Sequence, residues 1–194
     1  MVSTVEEVYV YTGQEENISN DVTHVKVQEG VTTIPDCAFP YKKRLLSVHI
    51  PQSVKEIGIN AFLRCTNLKS IDFSEGLEII GESSFEDCAS LTSLTIPTRV
   101  RRIQDRAFYR CSSMISIELS EGLEEIGNTS FFGCKALTSL TIPTTVRRIQ
   151  DWAFEWCSSL SSIELPEGLE KIGNASFAGC KALTSLTIPK RCER

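Results

Sequence analysis

The chain has 194 residues, with 20 lysines and arginines against 25 aspartates and glutamates, a formal net charge of −5 and a pI near 5.2. That balance argues against nucleic acid or an anionic membrane as the main partner, because both are held by clustered positive charge. Apolar residues make up 41%, enough for a packed core, but their longest runs are only a few residues, so no membrane span is encoded.

Residues 1–21 stand apart as an N-terminal cap or partly ordered segment, in which Val8-Tyr9-Val10-Tyr11 can form a strand covering the first edge of a sheet. The opening Met-Val-Ser-Thr-Val-Glu-Glu carries acids where a secretory signal needs a basic stretch and then a long apolar one, so the expected location is the cytoplasm. From residue 22 to residue 189 one 23-residue unit repeats without a gap. Phe39, Phe62, Phe85, Phe108, Phe131, Phe154 and Phe177 keep that step, as do Ile34 through Ile172 and the cysteines 65, 88, 111, 134, 157 and 180. A fixed period means that one supersecondary unit stacks on copies of itself and buries a core no single copy could bury.

Each unit begins with a strand, as in Leu91-Thr92-Ser93-Leu94-Thr95-Ile96-Pro97, whose apolar residues turn inward and whose proline ends it. Starts at residues 22, 45, 68, 91, 114, 137, 160 and 183 give about seven units plus an eighth strand, a parallel stack roughly 34 Å long at about 4.8 Å per coil. Val100-Arg101-Arg102-Ile103 and its equivalents form a second short strand or extended segment. Gly58, Gly81, Gly127 and Gly173 then mark a turn suited to positive φ, with Gln104 and Gln150 in the same slot. Asp105, Asn128, Asp151 and Asn174 follow, fitted to cap one helical or 3-10 turn that carries the phenylalanine and cysteine to the core. A charged tail, 190–194, closes the sequence; either it guards the last edge, or the sequence is a fragment, or that end self-associates with another copy.

A second period of 46 residues overlies the first, since residues 91–136 and 137–182 differ at 10 positions and agree at 36. Chemistry copied this often argues against a unique catalytic constellation. The six in-register cysteines fill a slot that wants a small buried residue, and they read as free thiols rather than a disulfide framework.

The whole motif, Leu-x-x-Leu-x-Ile-Pro followed by Val-x-x-Ile-Gly-x-x-Ala-Phe-x-x-Cys, resembles the BspA-like leucine-rich repeats over residues 22–189. The resemblance implies a mainly β, right-handed solenoid with parallel sheets, used as a non-enzymatic scaffold for protein–protein interaction, with a protein partner and no cofactor or metal. Many members of that family are cell-surface proteins, so the alternative is a surface or adhesion protein whose secretion signal is missing from this chain.

Several surface features compete to carry function. The columns Lys55, Glu78, Arg101, Glu124, Arg147, Glu170 and Glu56, Ile79, Arg102, Glu125, Arg148, Lys171 read first as a register-setting charge ladder. The strand face presents seven serines, Ser47 to Ser185, beside His49, Asp72, Thr95, Glu118, Thr141, Glu164 and Thr187. Ser70, His49 and Asp72 make a hydrolase-like set on paper, but an open sheet supplies no oxyanion hole. His24 and His49 lack a third metal ligand. Asn17, Asn128 and Asn174 sit in glycosylation sequons that matter only in a secreted chain.

Most distinctive are the slots that break the period. Trp152 and Trp156 replace Arg106 and Arg110 of two units earlier, and Tyr109 and Phe132 share another variable slot. Aromatics beside Arg106, Arg110, Arg147 and Arg148 have the composition of an interface hot spot. Local packing of the tryptophans is the competing reading.

Overall fold

The computed structural model describes residues 8–14 and 18–192. The sequence readings for Asn17 and for the last two tail residues lie outside them. Fifteen strands follow in order: β1 (Val8–Tyr11), β2 (His24–Val27), β3 (Thr33–Ile34), β4 (Ser47–His49), β5 (Glu56–Ile57), β6 (Ser70–Asp72), β7 (Ile79–Ile80), β8 (Ser93–Thr95), β9 (Arg102–Ile103), β10 (Ser116–Glu118), β11 (Glu125–Ile126), β12 (Ser139–Thr141), β13 (Arg148–Ile149), β14 (Ser162–Glu164) and β15 (Lys171–Ile172). From β2 to β15 each coil thus contributes one strand to each of two walls, and these strands pair in parallel in 23-residue register, as in Ser47↔Ser70 and Ile57↔Ile80, while β1 pairs with β2 in parallel as Val8↔His24. This is a parallel β-solenoid.

The wall of short strands is continuous from β3 to β15. The other wall is interrupted into β1-β2-β4-β6, β8-β10 and β12-β14. Both interruptions precede a Leu-Thr-Ser-Leu-Thr strand, so the 46-residue period of the sequence reappears as pairing of coils in twos. β1 covers the first edge, as its alternation suggests. The eighth strand expected at Leu183 does not form among the described residues.

The core lies between the walls and the outer arc. Six phenylalanine pairs, from Phe39–Phe62 to Phe154–Phe177, stack at 5.1–5.5 Å with interplanar angles of 1–10°, and Tyr11 meets Phe39 edge-on at 5.1 Å. Each cysteine Sγ of the column donates to the carbonyl of the phenylalanine 26 residues upstream, for example Cys65 to Phe39 at 3.0 Å and Cys157 to Phe131 at 3.2 Å. The slot therefore takes a small side chain with a weak donor, and all eight cysteines are free thiols. Burial pushes the column thiols up, Cys65 and Cys134 to about 12 and Cys180 to about 11.

The outer arc corrects two expectations. Among the described residues it holds no helical or 3-10 segment. It bends instead through two left-handed residues per coil, such as Asn60 and Arg64 (φ 56° and 57°) or Arg106 and Arg110 (φ 56° and 57°). These turns point alternate amides along the solenoid: Asn60 N–H donates to Glu82 O at 3.0 Å, Phe62 to Ser84 at 2.8 Å and Arg64 to Glu86 at 2.7 Å. A helix would spend those donors within its own coil, whereas stacking needs them between coils.

The recurrent glycines serve close approach rather than positive φ. A Cβ on Gly127 would lie 2.6 Å from Asp105 Oδ1, and one on Gly81 would lie 2.7 Å from the Gly58 carbonyl carbon. Asp105 and Asp151 cap no helix; they accept the amides of Asn128 at 3.0 Å and Asn174 at 2.7 Å in the next coil.

Candidate interaction surfaces

Three faces carry the residues singled out by the sequence. On the wall of longer strands, hydroxyls and carboxylates join across coils: Thr95 Oγ1 donates to Glu118 at 3.1 Å, and Thr141 Oγ1 donates to Glu164 at 3.3 Å. His49 Nδ1 lies 2.7 Å from Asp72 Oδ2, while His24 Nδ1 lies 2.7 Å from Ser47 Oγ. Ser70 stands opposite Ser47 and makes no hydrogen bond to His49, so the hydrolase-like set does not assemble among the described residues. The His49–Asp72 pair is an exposed cross-strand contact on an open sheet. No group of three or more metal-ligating side chains occurs among the described residues.

The second wall carries the charge ladder. Arg148 closes on Glu125 with two nitrogens, Nε at 3.0 Å and Nη2 at 2.8 Å, and Gln150 Nε2 adds a bond to the same carboxylate at 2.8 Å. Burial would push Glu125 up, yet Gln150, Arg148 and Arg102 together hold it below the usual carboxylate range. Arg147 instead donates to the carbonyl of Gly168 at 2.9 Å, as Arg101 does to Gly122 at 3.1 Å. Both Arg147 and Arg148 are therefore engaged on this wall. They do not join the aromatic group that the sequence suggested, because the turn at Gln150-Asp151 takes the chain onto the outer arc.

On that arc two separate groups form. Tyr109 stacks on Phe132 with ring centroids 4.8 Å apart, and the guanidinium carbons of Arg106 and Arg110 lie 4.2 and 5.2 Å from the Tyr109 ring centre. Arg106 is also bidentate to Glu86, at 3.0 and 2.8 Å. Burial would raise the Glu86 carboxyl, but the bonds from Arg106 and Ser83 hold it down.

The tryptophans stand apart from this stack: no ring contact joins Trp152 or Trp156 to Tyr109 or Phe132 among the described residues. Both sit in the left-handed slots, at φ 54° and 60°, because their amides must reach Asn174 O at 2.9 Å and Ala178 O at 2.8 Å. They remain 44% and 45% exposed. Small residues occupy the same slots in the adjoining coils, Thr129 and Ala175 beside Trp152 and Gly133 and Gly179 beside Trp156. Trp156 leans over Gly179, and Lys181 Nζ lies 5.8 Å from its ring centre. The left-handed strain was not legible in the sequence, since its slots hold Cys, Asn, Ser, Arg, Thr, Trp, Ala, Tyr, Asp and Gly across the coils. The glycines 133 and 179 were its one sign.

A family model for the BspA type leucine rich repeat region matches residues 16–111 and 78–194 in six copies. Among solved structures, a leucine-rich repeat protein of T. pallidum (TpLRR) is 30% identical, with a TM-score of 0.76 over 91% of this chain and 77% of that one. The pneumococcal vaccine antigen PcpA is 25% identical, with a TM-score of 0.64 over 89% of this chain and 47% of that one. A leucine-rich repeat protein from Bacteroides ovatus shares the fold at 22% identity, with a TM-score of 0.57 over 89% of this chain and 56% of its own. No curated protein matches.

Proposed function

The chain belongs to the BspA-type leucine-rich repeat family, and from that premise we propose that it is a non-enzymatic scaffold that binds a protein partner through the outer arc around Trp152 and Trp156. One observation carries the reading. Each tryptophan occupies a left-handed backbone position, disfavoured for an L-residue by roughly 1–2 kcal/mol, and leaves nearly half of its surface in solvent. Neither burial nor backbone preference explains a large aromatic there, whereas an exposed, rigidly held indole is what a partner's pocket can anchor. Tyr109, Phe132, Arg106 and Arg110, two coils and one coil away, extend the same arc. The cytoplasm is the proposed compartment, on the ground that thiols stacked one coil apart stay reduced in a reducing environment.

The test compares the intact protein with the Trp152→Ala, Trp156→Ala double variant, in a pull-down from the source cells and by acrylamide quenching. Red-shifted, readily quenched emission with partner loss in the variant supports the reading. Blue-shifted, protected emission or undiminished capture refutes it.

A second reading, display on a cell surface, draws on the likeness to the pneumococcal antigen. Protease treatment of intact source cells separates the two: digestion of the native protein places it outside, and protection places it inside.

A further inference from the structure

One heptapeptide, Leu-Thr-Ser-Leu-Thr-Ile-Pro, occurs three times, at 91–97, 137–143 and 183–189. In the first two it forms a strand that pairs on its downstream side only, β8 with β10 and β12 with β14. The amides of Ile96 and Ile142 donate to Glu118 O at 2.8 Å and Glu164 O at 3.0 Å, while Thr92 O and Thr138 O accept from Ile115 N at 2.8 Å and Ser161 N at 2.9 Å. The third copy has no downstream strand beside it among the described residues, and it alone is not a strand. Leu183, Leu186 and Ile188 are only part-buried, whereas Leu91, Leu94 and Ile96 are buried, as are Leu137, Leu140 and Ile142. One sequence with two outcomes means that the downstream partner, not local propensity, makes the strand.

A matching edge lies at the opposite end of the same wall. β1 pairs with β2 on one edge, where Gln28 N–H donates to Tyr11 O at 2.9 Å, and no described strand covers its other edge. Alternate residues of a strand use the same edge, so Tyr9 and Tyr11 serve β2 while the amides and carbonyls of Val8 and Val10 face outward. Set parallel to 185–187, that edge brings Val8 O and Val10 O to the amides of Leu186 and Ile188. The same register places Leu186 beside Tyr9 and Ile188 beside Tyr11, continuing the columns that β1 shares with Val25 and Val27 of β2. Hydrogen-bond phase and side-chain phase thus agree, and a slip of one residue would lose both.

The two ends also carry opposite charge. Residues 1–30 hold six acids against one lysine, and residues 171–194 hold five lysines and arginines against one glutamate, on a chain of net charge −5. Asp21 and Glu29 are exposed at one end, and Lys171, Lys181, Lys190 and Arg191 at the other. We infer that the 183–189 segment docks on the β1 edge of a second copy, so that copies stack head to tail. Each added copy keeps one free end of each kind, and the assembly grows as an open chain rather than closing as a dimer. Tail-to-tail pairing would set cation against cation. The contact does not involve the tryptophan arc.

Sedimentation velocity of the full chain, under a reducing agent and across a concentration series, tests it. Species larger than a dimer should accumulate with concentration and be weakened by salt. Val10→Pro removes an outward amide that no internal strand pairing uses, and should weaken association by about tenfold or more with the melting temperature unchanged. Ile188→Pro makes the same test from the other end, where no strand is present to be lost, and decides the matter if Val10→Pro melts lower. A Lys190→Glu, Arg191→Glu variant should associate poorly alone and recover when mixed with an Asp21→Lys, Glu29→Lys variant. A monomer at every concentration, assembly that stops at a dimer, or proline variants that associate like wild type would overturn the proposal. So would loss of association in the Trp152→Ala, Trp156→Ala variant, which would place the contact on the arc.

Discussion

Phe108→Ala cuts the ring column at its middle. The ring is fully buried, with centroids 5.5 Å from Phe85 and 5.4 Å from Phe131. Removing a buried phenylalanine destabilises by about 3–5 kcal/mol. Two stacked pairs, each contributing roughly 0.5–1.5 kcal/mol beyond buried area, favour the upper part of that range. In a stack where each coil touches only its neighbours, the loss falls on two adjacent interfaces and weakens coupling between the halves. The chain's two tryptophans both lie two coils beyond Phe108, so their fluorescence reports the later half while far-ultraviolet circular dichroism reports the whole. Urea unfolding should be coincident by both probes in wild type and separate in Phe108→Ala, with the milder Phe108→Leu as a variant that retains the fold. A loss below about 1 kcal/mol with coincident transitions would refute the claim that the column couples the coils.

Four further outcomes follow from the packing. Ser84 and Ser130 bury hydroxyls without partners in a slot that Ala61, Ala107 and Ala153 hold in alternate coils, so Ser→Ala at either should raise stability by about 1–3 kcal/mol in urea titrations; Ser176→Ala should lower it, because that hydroxyl donates to Gln150 O at 3.0 Å and also to Gly173 O. Gly179→Ala should cost about 1–2 kcal/mol for its left-handed backbone and shift Trp156 emission, since the added Cβ would lie 3.0 Å from the indole. Native alkylation near pH 8 should label Cys37 first and spare the column, as read by peptide mass spectrometry. The fold keeps the column thiols protonated above the ordinary 9.0 at which an unfolded thiol ionises, so the native state binds more protons there. Stability should therefore be flat below about pH 9 as far as these thiols are concerned, and fall as pH rises toward about 12, in a thermal-melt series.

The sequence alone determined the period, the parallel stack, the inward columns and the membership of the core. Those follow because identical apolar residues at one interval can be buried together only by stacking. It also isolated Trp152 and Trp156, since a departure from a repeat is visible without coordinates. The tertiary structure decided how the outer arc bends: cross-coil hydrogen bonding of alternate amides, which no local propensity encodes, favours left-handed residues over a helical turn. It also divided the surface, sending Arg147 and Arg148 to one wall and the tryptophans to the arc.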